Sequence, residues 1–208
     1  MRPIVEVTLS WLLKNRRGRD AKLFYTRPAF AKHPEQTLIV TSPDCGETDA
    51  QLGVEYTADG KGKCPQLRWE WKADKAPGEG VDVKEWLLVS EDPDAPLAMP
   101  ISHGVFGGIP PSKTSVEAVD FEIQDDSKAL LKGGFHYGVT RRNVPYLPPR
   151  PLMNHGPHRY FYQVVALSEP LDPKLLSAKA TREQIADAIV DKVLGWGMWV
   201  GSCERKWN

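Results

Sequence analysis

The sequence predicts a fold dominated by β-strands, a sandwich or a barrel, with one helix near each end. Short runs rich in β-branched and aromatic residues alternate with turn clusters through the middle of the chain. The 17 glycines and 18 prolines among 208 residues also disfavour a helical bundle. Since chains of about 100–200 residues usually share one core, we expect a single globular unit.

Six runs are predicted to form strands. They cover residues 37–41, 53–57, 66–71, 85–90, 103–106 and 159–167. Each is followed or preceded by turn residues, and none is separated from the next by a long helical pattern. This spacing favours a sandwich or barrel over alternating βαβ units.

Residues 1–35 form a predicted N-terminal helical extension. Apolar residues recur there at helical spacing, at Val5, Leu9, Leu12 and Leu13. The stretch 14–32 then carries many lysines and arginines against one acid, Asp20. One interpretation is peripheral contact with an anionic membrane or a partner. The other, which we favour, is a helix packed on the body with its basic end solvated near the negative end of the helix dipole.

A second helix is predicted near the C-terminus. Thr181 and Gln184 have the spacing of a capping box, with Thr181 as the N-cap. An apolar face then continues through Ile185, Ala188, Ile189, Val193 and Leu194. Gly195 is expected to end this helix.

Charge and cysteine content exclude several classes of protein. Lys and Arg total 27 and Asp and Glu total 27, so the formal net charge is zero, and we expect no nucleic-acid partner. No apolar run approaches the roughly 20 residues that span a bilayer, and the N-terminus is a poor secretory signal. Cys45, Cys64 and Cys203 are odd in number and lack metal-ligand spacing. We therefore expect a cytoplasmic protein with reduced thiols.

Acidic and imidazole side chains occur where predicted strands begin and end. Asp92 and Asp94 lie between prolines after an apolar strand, His103 follows, and His155 and His158 precede another apolar strand. Such residues can form a pocket at the rim of a sandwich, where a carboxylate orients or charges an imidazole. The imidazole can then bind an anion or exchange a proton with it. The alternatives are an ordinary Asp-Pro-Asp turn and structural histidines.

Other kinds of site find less support in the sequence. Two His and two Asp can bind zinc, but no short His-x-His or Cys-x-x-Cys clip is present, and we expect no metal and no cofactor. A Gly-x-Ser-x-Gly nucleophile elbow and a glycine-rich phosphate loop are also absent.

Several motifs occur in the order found in one family. Asp92-Pro-Asp-Ala-Pro96, His103, Tyr146 and Gly156-Pro-His-Arg-Tyr160 resemble the phosphatidylethanolamine-binding protein family, and the resemblance runs from about residue 36 to 205. It implies a β-sandwich of two antiparallel sheets over residues 36–208, with a C-terminal helix near a small anion pocket. Residues 1–35 resemble an extension of fungal members. By position, the resemblance implies these pocket residues: Asp92, Asp94, His103, Tyr146, His158 and Tyr160.

The chain departs from the family pattern in two informative places. Gly104 follows His103 where the family usually has a bulky residue. The loop from Tyr146 to His158 has few of the glycines whose amides would approach a phosphate. Arg150 and His155 are expected to supply side-chain donors to the ligand there instead.

Two functions follow from the resemblance. The first is a binding protein that captures a phosphate- or carboxylate-bearing ligand, such as a phospholipid head group, or that regulates or inhibits a signalling protein. The second is an enzyme of fungal secondary metabolism that assists cyclisation or coupling of a carboxylic acid or anhydride precursor. In that case His103, His158 and Asp94 would carry the acid–base chemistry. We favour binding, because the resemblance supports a pocket more directly than a reaction.

Overall fold

Two β-sheets of unequal size pack face to face in the computed structural model, which describes residues 3–207. The strands are β1 (Leu38–Thr41), β2 (Ala50–Gln51), β3 (Leu67–Trp71), β4 (Glu85–Asp92), β5 (Ile101–Ile109), β6 (Ser115–Val116), β7 (Ile123–Asp125), β8 (Leu130–Leu131), β9 (His136–Tyr137), β10 (His158–Leu167) and β11 (Val193–Cys203). The helices are α1 (Pro3–Leu13), α2 (Pro173–Ser177) and α3 (Arg182–Ala188). The predicted β-sandwich with a helix near each end is confirmed.

The small sheet has the order β1-β3-β6, and the large sheet has the order β2-β11-β10-β4-β5-β9-β8-β7. The pairings among the described strands are antiparallel, except that the two-residue β2 runs parallel to β11 at the edge. The three central strands β10, β4 and β5 therefore bring the ends of three chain segments to one rim of the large sheet.

Successive side chains of β4 point to opposite faces of the large sheet, so the core has two parts. Leu88 faces the small sheet, on what we call the inner face of the large sheet. Leu87 and Val89 point the other way, to the outer face, where they pack in one cluster with Phe24 and Phe30. The N-terminal segment, residues 3–35, thus contributes to the core of the outer face and is not a free extension.

The N-terminal segment crosses from one face to the other at the rim. Helix α1 lies beside the loop 146–158, since the carbonyl of Leu13 is 3.1 Å from Nε2 of His155. Three short 3₁₀ turns follow, at Asp20–Lys22, Phe24–Thr26 and Pro28–Phe30, and they carry the chain onto the outer face. None of the helices within residues 3–207 has the length and apolar character needed to cross a membrane.

The predicted C-terminal helix is correct at its start and wrong at its end. Thr181 and Gln184 form the expected capping box. The helix stops at Ala188, however, and Val193, Leu194 and Gly195 belong to strand β11. Asp191 has φ 61°, in the left-handed region, so the chain reverses there. Gly195 instead provides close packing, because a Cβ at this position would lie 2.2 Å from Oγ1 of Thr37.

Two further expectations differ from the structure. Residues 53–57 form a 3₁₀ turn (Val54–Tyr56) and not a strand, with Tyr56 buried and its hydroxyl donating to Asp44 at 3.0 Å. The apolar residues of α1 were expected to face the body. The helix instead buries Glu6 and Ser10, and it leaves Val5 and Leu12 exposed. Glu6 faces the interior because it accepts hydrogen bonds from Arg205 and from the backbone N–H of Met153.

Candidate anion-binding site

Asp92 and His158 form the centre of the candidate site. Asp92 is the last residue of β4, and its Oδ1 accepts hydrogen bonds from the backbone N–H groups of Asp94 (2.7 Å) and Ala95 (3.1 Å). Its Oδ2 is 2.8 Å from Nδ1 of His158, the first residue of β10. Both side chains are almost fully buried. Pro93 prevents continuation of the strand and thereby fixes this turn.

His155 extends this pair into a chain of hydrogen bonds. Its Nδ1 is 2.8 Å from Nε2 of His158, and its Nε2 is 3.1 Å from the carbonyl oxygen of Leu13. Asp92 and the Leu13 carbonyl can only accept, so the three bonds require three ring N–H groups. Two neutral imidazoles supply two. The chain of Asp92, His158 and His155 therefore shares one proton more than a carboxylate and two neutral rings would hold. Burial lowers the pKa of His155.

His103 presents an unpaired ring nitrogen beside this chain. Its Nδ1 is 2.5 Å from the carbonyl oxygen of Leu147 and donates to it, and its ring lies edge-on to Tyr160 at 5.0 Å between centroids. Burial lowers the pKa of His103, against the opposing charge of Asp92, so the ring is neutral at pH 7. Nε2 is then a free acceptor, and it is fully buried without a hydrogen-bond partner among the described residues. Nε2 is therefore free to accept a hydrogen bond from an acidic group of a ligand.

The two tyrosines among the predicted site residues have different neighbours. Tyr160 is buried, and burial together with the charge of Asp92 raises its pKa well above the usual range. The hydroxyl of Tyr146 is 2.7 Å from that of Tyr162, and burial raises the pKa of Tyr146 as well. Both phenols are therefore neutral at pH 7.

Asp94 is held by Arg159. Its Oδ2 accepts from the backbone N–H and Nε of Arg159, and its Oδ1 accepts from Nη2, all at 2.9 Å. Arg159 also binds both carboxylate oxygens of Asp20 in the N-terminal segment, at 2.8 and 2.9 Å. Burial opposes ionisation of Asp94, but these bonds and the charges of Arg159 and Arg17 hold the pKa of Asp94 below its ordinary value. The geometry gives Asp94 the role of joining the turn to the N-terminal segment.

Arg150 points at a carboxylate of α1. Its Nη1 is 3.6 Å from Oε1 of Glu6, and its Nε is 3.8 Å from Oδ1 of Asp59. The same Glu6 oxygen accepts from Nη1 of Arg205 and from the backbone N–H of Met153, the latter at 3.4 Å. Glu6 is thus a carboxylate already bound at the wall of the loop 146–158, which explains why α1 turns its polar side inward.

Helix α1 and the residues after it cover the loop. Besides Glu6 and Leu13, Arg17 donates to the carbonyl oxygen of Pro157, and its Nε lies 3.9 Å from Oδ1 of Asp94. Sequence reasoning missed Glu6, Arg17, Arg159 and Arg205 as parts of the site. Glu6 carried a signal, as the one acid that interrupts the apolar pattern of its helix. Arg159 did too, within the motif Gly156-Pro-His-Arg-Tyr160.

The residue after His103 has a steric reason to be glycine. A Cβ at Gly104 would lie 2.3 Å from Cε2 of Phe106. A bulky residue, which is usual at this position in the family, would therefore have to displace the ring of Phe106.

No group of three or more His, Cys, Asp or Glu side chains within residues 3–207 has an arrangement that could hold a metal ion. The side chains at the site that can exchange protons are His103, His155 and His158, beside Asp92.

Comparison with known proteins decides the family. The family model described as phosphatidylethanolamine-binding protein matches residues 42–204. The chain belongs to the phosphatidylethanolamine-binding protein family.

Two curated proteins are similar over nearly the whole chain, and both are called phomoidride biosynthesis cluster protein B. The one from Talaromyces stipitatus is 48% identical over 98% of this chain and 82% of its own length. The one from a second fungus, recorded as Fungal sp., is 45% identical over 99% of this chain and 96% of its own length.

Solved structures of this family share the fold. A family homologue from Chlamydia trachomatis aligns with a TM-score of 0.63 at 20% identity, over 82% of this chain and 99% of its own. YbcL from E. coli, a further member, aligns with a TM-score of 0.63 at 19% identity, over 81% of this chain and 98% of its own. At this identity the likeness concerns the fold alone.

Proposed function

We propose that this protein binds a small carboxylate- or phosphate-bearing metabolite at His103, next to His158. The observation that carries this proposal is the buried, unpartnered Nε2 of His103 beside the Asp92–His158–His155 chain. Buried polar atoms are nearly always hydrogen-bonded, so an orphaned ring nitrogen is best explained by a missing partner. An acidic ligand fits, because it can bring the proton that Nε2 lacks.

The sequence left two kinds of partner open, a small molecule and a signalling protein. The names of two relatives favour the small molecule. The two fungal proteins that resemble this chain are named for a biosynthesis cluster. That name supports a small molecule of a biosynthetic pathway over a signalling-protein partner. The three cysteines, which are free in this structure, support the proposed cytoplasmic location.

A second candidate function is acid–base catalysis on the bound metabolite. It is favoured by the geometry of the site: Nε2 of His103 is an open acceptor, and it lies beside a chain of hydrogen-bonded protons that joins Asp92, His158 and His155. A base and an acid within one pocket are what cyclisation or coupling of a carboxylic acid precursor requires. In this proposal Asp92 orients His158, and Asp94 acts indirectly, through Arg159.

Ligand access in this proposal requires α1 to move. Leu13 and Arg17 bind His155 and Pro157, so the loop is covered in the structure. Glu6 supplies the negative charge next to Arg150 and Arg205. When α1 moves away, Arg150 loses Glu6 and becomes available to the acidic group of the ligand, as we expected from the sequence.

The proposal is tested by calorimetry with hexanoate and with inorganic phosphate as probes. His103→Gln keeps the size of the side chain but removes the basic nitrogen, and His33→Gln serves as a control away from the pocket. We expect His103→Gln to weaken binding by about ten- to hundredfold. A hydrogen bond to a charged group contributes about 1.5–3 kcal/mol, and losing it raises the dissociation constant by about this factor. Binding by the wild-type protein should also take up about one proton per ligand.

Equal affinities of the wild type and His103→Gln, or binding without proton uptake, would contradict the proposal. Native mass spectrometry of freshly purified protein identifies any acid that remains bound. Incubating that acid with the protein then separates the two candidate functions: an altered product indicates catalysis, and an unchanged ligand indicates binding alone.

A further inference from the structure

Helix α1 has its apolar side in solvent. Ile4, Val5, Trp11 and Leu12 are 63%, 46%, 69% and 62% exposed, whereas Glu6 and Ser10 on the opposite side are 1% exposed. The four apolar residues are spaced one, seven and eight apart, so they lie on one side of the helix. We call them the apolar surface of α1. An exposed patch of this kind in a folded protein marks a contact with another surface.

The chain after α1 adds positive charge next to this surface. The basic segment, residues 14–22, contains Lys14, Arg16, Arg17, Arg19 and Lys22. The acids of residues 3–22 do not offset it at the surface: Glu6 is buried, and Asp20 is paired with Arg159. The whole chain is neutral, so this positive charge is a local feature.

A second exposed apolar strip borders the basic segment. Arg19 Nε donates to the carbonyl oxygen of Leu97 at 3.2 Å, and Lys22 Nζ donates to that of Ala98 at 2.9 Å. The side chains of Leu97 and Met99 are exposed beside these contacts. The basic segment is thus flanked by apolar side chains on both sides.

We propose that this combined surface docks on an anionic lipid membrane, with α1 lying flat at the interface. Apolar side chains that include tryptophan, next to lysine and arginine, are what an interfacial helix presents to anionic lipid. The polar side of α1 is already fastened to the body through Glu6, Leu13 and Arg17, so the helix is presented without unfolding.

The charge pattern favours lipid over a second copy of the chain. A twofold dimer through this surface would bring one basic segment against the other. An anionic membrane instead provides apolar contact and negative charge together, and each basic residue near the surface adds to the attraction.

The experiment is vesicle flotation with the full-length protein. Vesicles of phosphatidylcholine with about 30 mol% phosphatidylserine are compared with pure phosphatidylcholine, in low salt and in about 0.5 M salt, where surface charges are screened. Two double variants test the surface: Trp11→Ser with Leu12→Ser, and Lys14→Glu with Arg16→Glu. Matched controls at exposed positions elsewhere are Val119→Ser with Val190→Ser, and Lys128→Glu with Lys174→Glu. Circular dichroism verifies that every variant is folded.

We expect binding to the phosphatidylserine vesicles, weakened by high salt and at least about tenfold weaker in both surface variants. The control variants should bind as the wild type does. Failure of the wild type to float would overturn the proposal, and so would equal binding by the surface variants. Binding that depends on His103 but not on Trp11 would indicate head-group capture in the pocket and would also overturn it. A protein dimer abolished by the surface variants, in the absence of vesicle binding, would show that the surface serves self-association instead.

Discussion

Glu6 in the first helix and Arg205 near the C-terminus form a buried ion pair although 199 residues separate them in sequence. Arg205 also donates to Asp59 and to the carbonyl oxygen of Pro151. One guanidinium therefore joins α1, the turn at residue 59 and the loop beside the candidate pocket. Both Glu6 oxygens lie in the interior, and Oε2 has no partner among the described residues.

Glu6→Ala should loosen α1 from the body. It removes the acceptor that Arg205 and the amide of Met153 share, while the exposed residues of α1 are unchanged. We expect tryptic cleavage after Lys14 or Arg16 to become at least about tenfold faster, which corresponds to about 1.4 kcal/mol in the local opening equilibrium. Thr8→Ala, on the exposed side of the same helix, should cleave at the wild-type rate. Equal cleavage of Glu6→Ala and the wild type would mean that other contacts hold the helix.

Asp92→Asn should destabilise the whole protein. An asparagine keeps an oxygen for the amides of Asp94 and Ala95, but it presents an NH2 group in place of the carboxylate oxygen that faces Nδ1 of His158. Breaking a buried charged pair from one side costs about 3–5 kcal/mol in the free energy of unfolding. Urea denaturation measures this loss. Asp82→Asn removes an exposed carboxylate and should stay within about 0.5 kcal/mol. A loss below about 1 kcal/mol in Asp92→Asn would show that the pair is neutral in the folded protein.

Stability should fall as the pH drops below about 6.5, the ordinary pKa of histidine. Burial lowers the pKa of His103, so in this range the unfolded chain binds a proton at this residue that the folded protein does not. The free energy of unfolding therefore decreases from pH 6.5 towards the lowered pKa of His103 and is insensitive to this group above pH 7. His103→Gln should flatten the slope and His33→Gln should not. An unchanged slope in His103→Gln would place the effect on other groups.

The three cysteines should react slowly with thiol reagents while the protein is folded. Burial raises the pKa of Cys45 and of Cys203 to about 11 and that of Cys64 well above its usual range. Reaction of the native protein with a thiol reagent at pH 8 should therefore be slow, because the thiolate is the reactive form. The denatured, non-reduced protein should react quickly and give a count of three. A count of one would mean that two cysteines form a disulfide.

Sequence patterns predicted correctly the features that depend on residues close to one another in the chain. The capping box at Thr181 and Gln184 needs only residues three positions apart, and it is present as expected. The pairing of Asp92 with an imidazole followed from motifs at strand ends that the central sheet brings together. The predicted end of α3 was wrong, because apolar residues at 193 and 194 fit a buried strand as well as a helix face.

The orientation of α1 could not be read from its own sequence. Its apolar residues predict a helix that packs with that side inward. The observed orientation is set by distant groups, Arg205, Arg150 and the amide of Met153, which together require an acceptor. The partner of Asp94 was missed for a similar reason, since Arg159 reaches it across two strand ends.

The route of the N-terminal segment across the rim makes the position of a truncation decisive. Removing residues 1–13 would take away Glu6 and the Leu13 carbonyl while leaving Phe24 and Phe30 in place. Such a shortened chain would keep its outer core and expose the loop 146–158 permanently. Removing residues 1–33 would also uncover Leu87 and Val89 on the outer face and invite aggregation. Fusion partners are therefore better attached at the C-terminus, where Trp207 is exposed, than ahead of a helix that covers the candidate site.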